Sequence, residues 1–252
     1  VMAVAFMANT QHLYYREDIL KELGIPVPKT YEEVVAASEK IRASGKMQHP
    51  YAAAYKAGWN LAEEFVNMFI GHGGEFFKAG TAEPNINNAK GVATLNMLKK
   101  LASLSNPDYL THDSEAIKVE WESGKVALMT LWASRSGTLL DDEGDAKITA
   151  ATKLTGPATV GGGNIPAATL WWDGFTLAKN RSDSDAEATF IALAHAASNK
   201  KMVADAADQA VWLVEGFVPG PKSIGVIEAV KMGAKPYPML PQMGLMHGAL
   251  GS

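Results

Sequence analysis

Glu63 and Glu64 are the first residues in this sequence whose types could do chemistry, and their spacing argues against it. Adjacent side chains on a helix diverge by about 100°, so the two do not make the facing pair of carboxyls that hydrolyses a glycosidic bond. No nucleophile takes their place: the chain has no cysteine, no Gly-x-Ser-x-Gly elbow and no His-Glu-x-x-His. The run Gly161-Gly162-Gly163 lacks the Lys-Ser/Thr of a phosphate loop, and Gly71-His72-Gly73-Gly74 follows a predicted helix rather than a strand; both read as turns. The six histidines are dispersed. His72 and Glu75 would supply only two ligands, too few for a closed metal site, so no catalytic residue, metal or cofactor is expected.

The aromatic and polar residues fit binding better. A sugar offers hydroxyls at its rim and apolar C–H faces above and below, so its site combines flat aromatic platforms with a few fixed hydrogen-bonding groups. Trp59, Trp132, Trp171 and Trp172 fall at segment ends or in one extended run, beside Asn60, Glu63, Arg135 and Asp173. Trp121, mid-helix, and Trp212, in an apolar extended run, read as core. Consecutive strand residues face opposite sides, so only one of Trp171 and Trp172 can meet a ligand. The choice falls on Trp172, with Asp173 accepting from a hydroxyl and Gly174 letting backbone approach closely.

The elements that must position these residues alternate between strand and helix. Apolar Val1 to Phe6 reads as a buried strand and Leu13-Tyr14-Tyr15 as a second, before a short helix through Ile19, Leu20 and Leu23. Gly24 suits a left-handed C-terminal cap, and Pro26 and Pro28 forbid continuation. Thr30 with Glu33 forms a capping box for the next helix, which carries Val34, Val35, Ser38 and Ile41 on one face. A strand follows at Tyr51 to Tyr55. Asn60 with Glu63 reads as another capping box, opening a helix through Phe65, Met68, Phe69 and Ile70. Val92, Leu95, Leu98 and Leu101 line a further helix that Pro107 ends. Ile117 and Trp121 mark the next, with Gly124 as its cap and Val126 to Leu131 as a buried strand. An acidic turn at Asp141 to Asp145 leads towards a long extended run from Ala168. Ser182 with Asp185 caps a helix using Phe190, Leu193, Ala194 and Ala197; a helix from Lys200 to Ala207, an extended Val211 to Val214 and a helix from Ser223 to Met232 follow.

With 252 residues there is room for one large or two modest domains, and 47% hydrophobic with 20% charged residues is a soluble globular composition. The net charge of -4 argues against nucleic acid as a partner. No apolar run approaches the ~18 residues that span a bilayer, and the first residues do not read as a signal peptide.

The order Leu13-Tyr14-Tyr15-Arg16-x-Asp18-x-Leu20-x-x-x-Gly24-Ile25-x-x-Pro28-Lys29-Thr30-Tyr31-x-Glu33 resembles the segment that opens the second lobe in extracytoplasmic solute-binding proteins of carbohydrate ABC importers, the maltose-binding-protein-like group. The helix-Gly124-Lys125-strand unit, the run Ala168 to Asn180 and the late Pro241-Gln242-Met243 are similar to later stretches of that group. The resemblance implies an α/β fold of the type II periplasmic-binding-protein kind, a sheet flanked by helices with part of the other lobe. Lobe two would be 1–157 and 216–252, and 158–215 the returning part of an incomplete lobe one, the first third of the family's chain being absent. It implies ligand contacts in the loop Trp132-Ala133-Ser134-Arg135 and at His247, where members often carry an aromatic, and weaker ones at Asn9 and Tyr15. The implied partners are a small sugar or polyol, or a sugar acid if Arg135 meets an anion, and the transmembrane subunits of an ABC permease; the implied place is periplasmic or extracytoplasmic. With half of the cleft absent, weak or no sugar binding and self-association through exposed apolar surface are expected. A carbohydrate-active enzyme domain and a protein-interaction module are the alternatives.

Overall fold

In a computed structural model that describes residues 3–141, 144–198 and 204–252, the chain forms two four-stranded sheets joined where strands cross between them. Strand β1 (Val4–Asn9) belongs to one sheet and β2 (Gln11–Arg16) to the other, with only Thr10 between them. The second sheet runs in the order β3 (Tyr51–Ala52), β4 (Leu128–Trp132), β2, β5 (Thr152–Thr155). Strand β2 is antiparallel to both of its neighbours, and β3 is parallel to β4.

This second sheet is covered on both faces, which is why β2 and β4 are buried almost throughout instead of alternating, Gln11, His12, Arg16 and Thr130 included. Leu13 and Leu128 enter one core with Val34, Val35 and Ile41 of α2 (Tyr31–Ala43), Phe65, Val66 and Phe69 of α3 (Trp59–Gly71), and Leu98 and Leu101 of α4 (Ala89–Ala102). Tyr14 and Met129, one residue along, enter the other core with Ile117 and Trp121 of α5 (Ser114–Glu122). The short helix α1 (Glu17–Glu22) stops at Gly24, whose φ of 58° accompanies N–H bonds from Gly24 to the Lys21 carbonyl and from Ile25 to the Leu20 carbonyl. The Thr30–Glu33 capping box forms in full. On α4 the inward line is Gly91, Thr94, Leu98 and Leu101, whereas Val92 and Leu95 are 57% and 52% exposed, against the predicted face. Gly91 sets this rotation: a Cβ there would fall 1.9 Å from the Ile86 carbonyl oxygen.

The first sheet runs β7 (Val211–Trp212), β1, β6 (Thr169–Phe175), β8 (Lys235–Pro236). Hydrogen bonding therefore groups β1 with β6, not with residues 11–157. Residues 158–167 also sit apart from the predicted grouping, because Ala158, Val160 and Ala167 are buried in the α2–α3–α4 core. Two of the crossings lie at Thr10 and Thr169, where the Thr10 hydroxyl donates to the Thr169 carbonyl at 2.8 Å. Beyond β6, the helix α8 (Asp183–Ser198) starts at the predicted Ser182 cap but buries no residue. Residues 224–231 and 243–250 form α9 (Ile224–Lys231), against β2 and β5, and α10 (Met243–Leu250), against α3. The short helices α6 (Ser136–Leu139) and α7 (Ala146–Ala151) complete the set named here. The start of the predicted first strand, the middle of the acidic turn and the first half of the predicted helix at 200–207 lie outside the described residues. Among the described residues no helix is long and apolar enough to cross a membrane.

Trp121 is fully buried and donates its indole N–H to the Thr152 hydroxyl at 3.0 Å. Trp121→Ala is expected to cost about 3–5 kcal/mol of stability and Thr30→Ala about 1 kcal/mol, read from urea unfolding midpoints. A Trp121 variant as stable as the parent would contradict this account of the core.

Candidate ligand-binding site

Helix α3 does not start at the predicted Asn60–Glu63 box. Its N-cap is Gly58, with φ of 102°, and the Gly58 N–H donates to the Gly251 carbonyl at 2.7 Å. Starting there places Trp59 as the first helical residue, half exposed, with Asn60 partly buried beside it, and turns Glu63 inward to full burial. The same contact docks α10 on α3, since a Cβ at Gly251 would lie 2.1 Å from the Gly58 carbonyl oxygen. One turn earlier on α10, His247 stacks on Trp59 with ring centroids 5.0 Å apart. His247 Nε2 is 3.0 Å from the Trp59 carbonyl, which can only accept, so Nε2 carries the proton. Nδ1 then accepts from the Tyr237 hydroxyl at 2.9 Å. Burial holds the imidazole below its usual pKa and keeps it neutral.

Trp132 comes from the end of β4, opposite Gln11. The crossing residues fix the loop behind it: Asn9 Oδ1 accepts from the Ser134 N–H at 3.2 Å, and the Ala133 N–H donates to the Thr10 carbonyl at 2.8 Å. Trp132 lies 6.1 Å from both Trp59 and Trp171, and Trp171 lies 5.9 Å from Trp59 and 4.4 Å from Tyr237. Five rings from four distant stretches thus form one continuous aromatic surface, Trp59–Trp132–Trp171–Tyr237–His247.

The choice between the paired tryptophans goes the other way from the prediction. Trp171 joins the cluster, while Trp172 points to the opposite face of β6 and is 51% exposed. Asp173, the next residue, turns away from Trp172 and is exposed, so the two do not act together. Gly174 is explained by Trp172, not by a ligand, because a Cβ there would meet that indole at 2.6 Å. Arg135 is drawn off by Glu115, with 2.6 Å between Nη1 and Oε1. Of the predicted residues, the structure brings together Trp59, Glu63, Trp132 and His247, with Asn60 at the edge. Trp171 and Tyr237 join them without having been chosen. A glycine two places after Trp172, on the same strand face, was the available sign that Trp172 packs on its own strand. Nothing comparable marked Tyr237, whose position follows from the parallel pairing of β6 with β8, Leu170 opposite Pro236.

Beneath the rings lies a buried polar cluster. Glu63 Oε1 is 2.6 Å from Thr169 Oγ1 and 3.3 Å from Trp171 Nε1, and Trp171 Nε1 is 2.7 Å from the same hydroxyl. Asn67 Oδ1 accepts from the Thr169 N–H at 2.7 Å, and its amide donates to Gln11 at 3.3 Å. Burial pushes the Glu63 carboxyl up to about 7. Burial also pushes Glu64 up to about 8, with the neighbouring Glu63 charge adding to the effect.

The sequence pattern of the bacterial extracellular solute-binding protein family matches residues 2–203. The chain belongs to that family. A probable ABC transporter-binding protein of Deinococcus radiodurans is 28% identical over 188 residues, covering 71% of this chain and 43% of that protein. Among solved structures, maltose-bound MalE3 of T. maritima matches the whole chain with a TM-score of 0.84 at 20% identity, over 66% of its own length. An ABC transporter solute-binding protein of Agrobacterium radiobacter in complex with ribitol does so with 0.81 at 21% identity, over 65% of its length. The fold of this chain is accordingly the mixed α/β, type II periplasmic-binding-protein fold, and the chain spans less than two thirds of the length of the Deinococcus relative.

The two raised carboxyls make stability depend on pH. Each stays protonated in the fold at pH values where the unfolded chain has lost its proton, so stability is highest below the ordinary value of 4.5 and falls as pH rises through about 7 for Glu63 and about 8 for Glu64. Within that window each group contributes a slope of about 1.4 kcal/mol per pH unit. Urea unfolding between about pH 5 and pH 8 is expected to show this fall, reduced in Glu64→Gln; a flat or rising profile in the parent would refute the assignment.

Proposed function

We propose that this chain supplies one wall of a non-catalytic receptor that binds a small neutral carbohydrate or polyol outside the cytoplasm and delivers it to an ABC importer. The observation that carries this reading is the five-ring surface, half-exposed at Trp59, with a polar layer directly under it. Flat rings take the C–H faces of a sugar, and each such contact is worth about 0.5–1.5 kcal/mol beyond its burial. Neutrality of the ligand is supported by the pairing of Arg135 with Glu115, which leaves that guanidinium without an unmet charge to offer a sugar acid. The maltose and ribitol held by the two structural relatives are neutral polyhydroxyl compounds as well.

An enzyme reading finds no support in the carboxylates, since Glu63 and Glu64 are both buried away from any bond a solvent-side sugar would present. Capture would proceed by hinge closure of a second lobe about the crossings at Thr10 and Thr169, the motion for which periplasmic binding proteins are a standard example. The closed form would then be read by the permease.

One wall alone is expected to bind weakly, with Kd in the millimolar range, which corresponds to about -4 kcal/mol. Titration of maltose or ribitol into 15N-labelled protein should shift the indole N–H signals of Trp59, Trp132 and Trp171 and leave those of Trp121 and Trp172 in place. Amino acids should shift none of them. Movement confined to Trp172, or a response to amino acids only, would overturn the proposal.

Self-association belongs to the same reading. Val4, Trp172, Phe190 and Ile191 expose apolar side chains on β1, β6 and α8, and surfaces of this kind are covered in stable assemblies. Sedimentation velocity should show the weight-average mass rising with concentration, and Trp172→Ser should reduce the rise; a monomer at all concentrations would contradict it.

A further inference from the structure

The Thr169 hydroxyl has three polar neighbours and a single proton. Trp171 Nε1, at 2.7 Å, can only donate to it. Asn67 Oδ1 lies 2.8 Å away, and its identity as the oxygen is fixed because it also accepts from the Thr169 N–H at 2.7 Å. The third neighbour is Glu63 Oε1 at 2.6 Å. If Glu63 were a carboxylate, the one hydroxyl proton would serve either Asn67 or Glu63, and the other oxygen would face Thr169 Oγ1 across a hydrogen-bond distance with no proton between them. If Glu63 is the neutral acid, every atom is satisfied: Glu63 donates to Thr169, the indole donates to Thr169, and Thr169 donates to Asn67, which is one bond given and two accepted. The remaining oxygen, Glu63 Oε2, is buried without a hydrogen-bond partner, a position a neutral carbonyl tolerates better than half of an anion.

We propose that Glu63 is held as the neutral acid and acts as a positioning residue for Trp171, so that the set of this ring in the aromatic wall, and with it ligand affinity, depends on one buried proton.

The surroundings agree with this. The titratable and polar groups facing Glu63 are Glu64 and Asn67 on its own helix, Thr169 and Trp171 on β6, and Tyr237 after β8, which in turn bonds the neutral His247 of α10. None of them is cationic; the hydrogen bonds from Thr169, Trp171 and Asn67 favour the anion, but burial outweighs them. Burial, the dominant influence on Glu63, pushes it up to about 7. On ionisation the Thr169 proton turns to the carboxylate, Asn67 loses its second donor, and the indole N–H is drawn towards Oε1. Losing the set of one neutral hydrogen bond corresponds to a roughly fivefold loss of affinity.

The affinity part of this inference rests on the proposed sugar reading, whereas the proton count does not, and the test separates them. Indole N–H signals of 15N-labelled protein are followed from about pH 5 to pH 9, with Trp171 assigned through Trp171→Phe. The Trp171 signal is expected to titrate near neutral pH in the parent, to titrate still in Glu64→Gln, and to stay at its acid-side position throughout in Glu63→Gln, where the amide can replace the acid as donor. A flat Trp171 signal in the parent, or a titration that survives in Glu63→Gln, overturns the inference. In a second arm maltose and ribitol are titrated at about pH 6 and pH 8.5, with a roughly fivefold weaker Kd expected at the higher pH in the parent only. Equal affinities at both pH values overturn the link to binding. If neither probe binds at any pH while the Trp171 titration and its loss in Glu63→Gln are both seen, the positioning role stands and the sugar reading falls.

Discussion

The structure depends on how the chain passes between two sheets without leaving a buried polar group unmet. Thr10 and Thr169 sit at two of the crossings, both fully buried, and the hydroxyl of the first is spent on the carbonyl of the second. Each crossing interrupts a ladder, so backbone groups there need partners other than strands. At Thr10 the N–H donates to Asn9 Oδ1 and the carbonyl accepts from the Ala133 N–H, while at Thr169 helix α3 provides the partner: Asn67 takes the Thr169 N–H, and its amide reaches the Gln11 side chain on the far side of the Thr10 crossing. A helix that serves both crossings must present polar groups where a plain α/β lobe would present leucines. Glu63, Glu64 and Asn67 on the buried side of α3 are that departure.

The same requirement explains the aromatic surface. Trp171 begins on the strand that Thr169 fixes, and Trp132 ends the strand whose following loop is held by Asn9 and Thr10. Trp59 opens the helix that carries Glu63, and His247 and Tyr237 are tied to Trp59 and to each other. The rings therefore converge because the crossings do. A surface assembled from four separate stretches keeps its shape only while those stretches keep their hydrogen bonds, which makes the buried polar layer part of any recognition the rings perform.

Local signals in the sequence carried far. The stop at Gly24, the Thr30–Glu33 box and the helix-Gly124-strand unit are decided within a few residues of themselves, and the structure has them where composition and spacing point. Misreadings arise where a distant contact decides. Asn60 and Glu63 have the spacing of a cap, but Gly251 settles where α3 begins, from nearly two hundred positions away by sequence. Val92 and Leu95 have the spacing of a buried face, but the carbonyl of Ile86 against Gly91 turns α4. Alternation along β6 reduced Trp171 and Trp172 to two options without choosing between them, because which face of that strand meets the rings depends on β8 and α10. The family resemblance pointed to Trp132 and His247, which the structure places in the ring cluster, and sheet pairing supplied the membership of β1.

The close approach of Gly58 and Gly251 bears on how the ring cluster is spaced. Neither glycine has a side chain with which to touch a solute, yet together they set the separation of two helices that each deliver a ring. A methyl group at Gly251 would force α10 outward, carrying His247 off Trp59 and loosening the hold on Tyr237. The spacing of the rings can therefore be reset by a residue that touches none of them, through the thickness of a helix contact.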